Sequence, residues 1–160
     1  MRFISQNERG GWELDAYLDH LREIAERLPR NARDFALAEW HYDIRHHQCP
    51  HDSWLENFTI KERATGERHQ NSTVDIESLF LGSFHDGFFS LTYRDVRTYS
   101  LQLEPHEPIR RAHGDWLVDE VTLTDANLVR HEIAFERASL VVTCVEIEYR
   151  WMPQTSGARH

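Results

Sequence analysis

The chain of 160 residues is long enough to bury one substantial core, and 40 % apolar against 28 % charged residues argues against a disordered chain. The formal charge of −9 is split −2, −4 and −3 over residues 1–50, 51–104 and 105–160, so no basic stripe exists to track a nucleic-acid backbone. No signal-peptide pattern opens the sequence, no apolar run approaches the ~20 residues of a membrane helix, and two cysteines cannot make a disulfide scaffold. The expectation is a cytoplasmic, acidic protein that contacts neither nucleic acid nor membrane and favours basic partners.

In chain order, Leu14, Tyr17, Leu18, Leu21, Ile24 and Leu28 recur at three- and four-residue spacings. This predicts an amphipathic helix over Glu13–Leu28, stopped by Pro29. Asn31 is the expected cap of a second helix, with Asp34 near its positive end and Phe35, Ala36 and Trp40 on its buried side. From Ser53 the period changes to two. Strands are expected at Trp54–Ile60, Val74–Leu81, Phe88–Leu91, Tyr99–Leu103, Trp116–Leu123, Leu128–Phe135, Leu140–Val145 and Ile147–Trp151. Asp86-Gly87 is the expected hairpin turn, Gly supplying a positive φ. Glu104–Pro108, with two prolines, reads as a connector, and Pro153–His160 as a tail.

The two β-rich halves align. At an offset of 51, Phe84 meets Phe135, Leu91 meets Val142, Thr92 meets Thr143, Asp95 meets Glu146 and Val96 meets Ile147. At an offset of 62, His51, Trp54 and Leu55 meet His113, Trp116 and Leu117. Duplication and the chance likeness of two amphipathic meanders both account for this.

Between the helical and β parts, Trp40–Leu55 gathers His41, His46, His47, Cys49, His51 and Asp52 into twelve residues. Imidazole, thiolate and carboxylate are all zinc ligands, so His46, His47, Cys49, His51 and Asp52 are the candidate metal residues. Against a metal stands the lack of a second Cys/His pair at finger spacing, and the cluster reads equally as a solvated loop with a packed cysteine. No Gly-rich phosphate loop, serine elbow or dinucleotide fingerprint occurs, so no catalytic residue is assigned.

The rhythm of His51-Asp-Ser-Trp-Leu55, with Phe84-His-Asp-Gly-Phe88 and Asp95-Val-Arg-Thr-Tyr99 in the following strands, resembles that of small bacterial β-rich proteins. Some of these resemble toxin-immunity proteins. The likeness covers residues 51–151 and implies a partner-binding protein rather than an enzyme.

These readings combine into one α+β domain over residues 1–152, with a helical part (12–48), a β part (52–151) and a flexible tail (153–160). Two N-terminal helices pack on a largely antiparallel, curved sheet of seven or eight strands, whose two meander halves are related if the duplication reading holds. A homodimer would cover apolar sheet area left over. The expected function is non-catalytic protein binding, inhibitor-like and without cofactor. The alternative is a zinc-binding protein or metal-dependent hydrolase using the 46–52 cluster.

Overall fold

The structure, a computed structural model, describes residues 1–105 and 112–154. Part of the expected connector and nearly all of the expected tail lie outside these residues. The architecture is α+β with antiparallel sheets, and no helix is long and apolar enough to cross a membrane. A two-stranded ribbon, β1 (Ser5–Gln6) and β2 (Trp12–Glu13), leads into α1 (Asp15–Ile24), a 3₁₀ turn (Ala25–Arg27) and α2 (Arg30–Ala36). Then follow β3 (Trp54–Thr65), β4 (Asn71–Leu81), β5 (Gly87–Arg94), β6 (Thr98–Leu103), β7 (Trp116–Leu123), β8 (Val129–Phe135), β9 (Ala138–Cys144) and β10 (Glu146–Pro153).

The eight long strands divide into two four-stranded sheets rather than one curved sheet, in the orders β10-β5-β4-β3 and β6-β9-β8-β7. Each half forms a three-strand meander and gives its fourth strand to the other sheet. The links run on from one sheet into the other side by side: Val145 alone separates β9 from β10, residues 95–97 separate β5 from β6, and the Arg97 and Val145 N–H groups donate to the Thr143 and Arg94 carbonyls at 2.8 and 3.0 Å. The sheets face each other across a core in which Phe80 of β4 and Phe89 of β5 lie against Trp116, with ring centroids 5.1 and 6.1 Å apart.

Register carries the internal likeness further. Leu91 is paired with Tyr149 on its β10 side, and Val142 with Tyr99 on its β6 side. The offset of 51 therefore matches the β5 and β9 ladders, and the two tyrosines occupy equivalent places. The offset of 62 is out of phase. Trp54 pairs with half-buried Leu81, whereas Trp116 pairs with buried Phe135, so the two indoles take opposite sheet faces.

Three local details differ from the expectation. The residues expected to end the first helix tighten into the 3₁₀ turn after Ile24. Asn31 is not the cap of α2; the helix begins at Arg30, and the Glu146 carboxylate accepts from the Ala32 N–H at 2.9 Å and the Asn31 N–H at 3.3 Å. An anion from β10 thus meets the positive helix end. Gly87 lies in the predicted hairpin but lacks positive φ; His85 has φ 55° instead. Glycine is needed at 87 because a Cβ there would lie 2.4 Å from the Trp151 ring.

Candidate functional site

The N-terminal segment covers the free edge of β7, and its polar side chains are spent on that edge. His51 Nδ1 donates to the Leu117 carbonyl at 2.8 Å, and the Tyr42 hydroxyl donates to the Asp119 carbonyl at 2.9 Å. The Tyr17 hydroxyl accepts from the Val121 N–H at 2.8 Å and donates back to its carbonyl at 3.3 Å. Alternate residues of an edge strand point the same backbone groups outward, which is why 117, 119 and 121 are served in turn. Glu120, facing the other side of the sheet, accepts from the backbone of Arg2, Phe3 and Ile4 at 2.8, 2.6 and 2.5 Å.

Beneath this cover lies a fully buried carboxylate. Asp119 receives His41 Nε2 at 2.9 Å and His131 Nε2 at 2.9 Å. His41 Nδ1 faces the Phe35 carbonyl at 2.9 Å, and His131 Nδ1 faces the Tyr93 hydroxyl at 2.9 Å. A carbonyl and a carboxylate only accept, so both His41 nitrogens carry protons and His41 is an imidazolium. On the other side His131 donates from Nε2 to Asp119, and the Tyr93 hydroxyl hydrogen-bonds its Nδ1. Burial alone would depress His41, but the Asp119 charge and hydrogen bonds outweigh it and raise its pKa. Burial would raise the Asp119 carboxyl, yet His41⁺ and the hydrogen bonds from both imidazoles hold it far below the usual carboxylate range. Burial also pushes the Tyr93 phenol well above its ordinary value.

These directions fix the sign of a pH effect. His41, raised in the folded state, contributes stability that is complete below its unfolded value of about 6.5 and is lost as pH rises through its folded value. Asp119, depressed, contributes stability present above about 3.9 and lost only in strong acid. Urea melts are therefore expected to show a plateau from about pH 4 to 6.5 and declining stability above it. The His41→Gln chain is expected to lose the decline between about pH 6.5 and 8, where unfolded cysteine and tyrosine stay protonated. An unchanged slope in that variant would assign the effect elsewhere.

An apolar cleft of about 160 Å³ opens over His41 and Asp119, walled by Trp12, Leu14, Ile44 and Leu117, with His51 also in its lining. A larger hollow of about 480 Å³ lies between Phe3, His20 and Arg130, where Glu120 is already committed to backbone.

The five candidate metal residues go to separate partners. His46 is exposed, stacks toward Trp40 and accepts from the Gln48 N–H at 3.2 Å. His47 stacks on Phe84 and pairs with Asp86. Cys49 is buried, and its thiol donates to the His41 carbonyl at 3.1 Å. Burial pushes that thiol up to about 11, away from thiolate chemistry. His51 and Asp52 alone meet, at 3.2 Å. Among the described residues no group of three or more His, Cys, Asp or Glu side chains is gathered for a metal.

What the pattern reading missed is Asp119, Glu120 and His131. The signal was there: Asp119 and Glu120 interrupt Val118 and Val121 within one apolar strand, and His131 falls in phase with Val129 and Ile133. Comparison with protein-family models, curated proteins and solved structures finds no match.

Proposed function

We propose that the protein is a non-catalytic binding module for a basic protein, acting through the end where loop 37–53 meets the β4–β5 turn. The supporting observation is an aromatic, imidazole-rich surface with acidic residues around it. Phe84, 47 % exposed, stacks on His47 at 4.4 Å, while His85 of the same turn lies 4.5 Å from the Trp54 ring. Ile44, 64 % exposed, stands on the same loop at the apolar cleft. Aromatic side chains ringed by polar groups suit a protein interface core, and Glu39, Asp43, Asp52, Asp86 and Asp115 outnumber Arg45 there. The buried Asp119 pair has both carboxylate oxygens engaged, which fits a support for this surface better than a reacting group. An inhibitor-like role follows if the basic partner is itself an enzyme or toxin.

Cross-linking capture from the native lysate at low salt is expected to recover a basic protein, and recovery is expected to fall steeply with salt. With the recovered protein in hand, Phe84→Ala together with Ile44→Ala is expected to weaken binding by ~30-fold or more, the effect of truncating an interface centre. No basic protein at low salt, or a double variant that binds like the parent, would refute the reading.

A further inference from the structure

The two meanders present equivalent sandwich edges, and the N-terminal segment closes only one of them. At the β7–β10 edge, Tyr17, Tyr42 and His51 occupy the backbone of β7, and Phe35 and Trp40 cover Tyr149 with ring centroids at 5.5 and 4.6 Å. At the β3–β6 edge, no described helix packs closely on the strands as α2 does on β10. No described side chain is hydrogen-bonded to the backbone of β3 between Asn57 and Thr65.

The side chains there are core side chains by register. Ile60 stands opposite fully buried Ile76, Tyr99 opposite fully buried Val142, and Leu101 opposite fully buried Leu140. Yet Ile60 is 45 % exposed and Tyr99 48 % exposed, and Leu103 at the end of β6 is as open as Tyr99. Tyr99 holds the place that Tyr149 holds in the covered half. Ile60, Tyr99 and Leu103 thus leave the inward face open to solvent on this side, next to strand edges that no described strand covers.

We propose that the β3–β6 edge is the contact through which two copies of this chain form a homodimer. Charge selects a second copy over the basic partner of the opposite end. The two edge strands are balanced in charge: β6 carries none and β3 sets Lys61 and Arg63 against Glu56 and Glu62. Lys61 pairs with Glu77 at 2.6 Å, Arg63 with Asp75 at 2.9 Å and, in the β5–β6 link, Arg97 with Asp95 at 2.8 Å. A molecule of net charge −9 meets its own copy with least repulsion where its surface is locally neutral and apolar. The edge also leaves loop 37–53 and the β4–β5 turn open, so the inference stands or falls apart from the binding proposal.

Light scattering during size exclusion of the full chain tests it. The expected mass is twice 19.0 kDa at ~100 μM protein, where a micromolar Kd keeps most chains paired. Ile60→Glu with Tyr99→Glu is expected to give a single 19.0 kDa species with an unchanged circular dichroism spectrum, while Phe84→Glu stays dimeric. Should the double variant unfold, hydrogen exchange of the parent replaces it: amides of residues 58–62 are expected to gain protection as concentration rises. A parent that runs as a monomer, a folded double variant that stays dimeric, or concentration-independent exchange in β3 would overturn the proposal.

Discussion

Asp119→Asn is expected to be among the most damaging single changes in this chain, lowering stability by about 3–5 kcal/mol. The amide keeps the shape of the carboxylate but withdraws the charge that holds His41 as a buried imidazolium. It also turns an N–H₂ group toward one of two imidazole N–H donors, so His41 or His131 loses an acceptor. A domain of this size has about 5–15 kcal/mol in total, so the variant should be folded but marginal, with Tm lower by roughly 10 °C or more. The discriminating measurement is a double-mutant cycle by urea denaturation. His41→Gln removes the buried cation, so Asp119→Asn should cost much less in that background. Strictly additive losses would show that the two side chains do not act as the pair described.

Trp116→Ala is the second large effect, again about 3–5 kcal/mol, for an apolar reason. Trp116 is 1 % exposed and touches both sheets, with the Phe80, Phe89 and Phe135 rings at 5.1, 6.1 and 5.9 Å. Facing aromatic rings on two different sheets cannot close independently over the space an indole leaves. Because Trp116 also walls the cleft above Asp119, the variant should bind small apolar molecules that the parent excludes. Trp54→Ala is expected to cost less than half as much, since that indole is half-buried on the outer face and donates to Asp115 at 2.5 Å. Equal losses at the two positions would mean that they share a face after all.

The contrast between the two tryptophans marks what pattern reading could reach. A period of two reports that a side chain lies on one of two faces, and neighbouring sequence cannot say where a bulge exchanges them. The ladders have such irregularities between Leu55 and Asn57 and between Trp116 and Val118, so a correspondence at an offset of 62 looked sound in sequence and is out of phase in space. The offset of 51 survives within β5 and β9, whose ladders have no bulge, and fails at Phe84, which lies in the β4–β5 turn while Phe135 ends β8.

The histidine cluster is the same problem in the site. Spacing placed His46, His47, Cys49, His51 and Asp52 within one short segment, but a loop can turn each side chain to a different neighbour. Their partners are Trp40, Phe84, Asp86, the His41 carbonyl and the Leu117 carbonyl, supplied partly by segments far along the chain. His41, one of the gathered histidines, finds its charge partner 78 residues away.

The sequence by itself determined the α+β class, the helical start, the switch to strands near Ser53 and the even acidity, because these rest on local periodicity and composition. Only the tertiary structure decided that the strands split into two sheets, that Glu146 caps α2, that Gly87 exists to clear Trp151, and that Asp119 joins two imidazoles in the core. Each of these depends on which distant segment arrives at a given backbone or charge. That is set by burying the apolar faces of both meanders at once, a constraint carried by no short stretch of the chain.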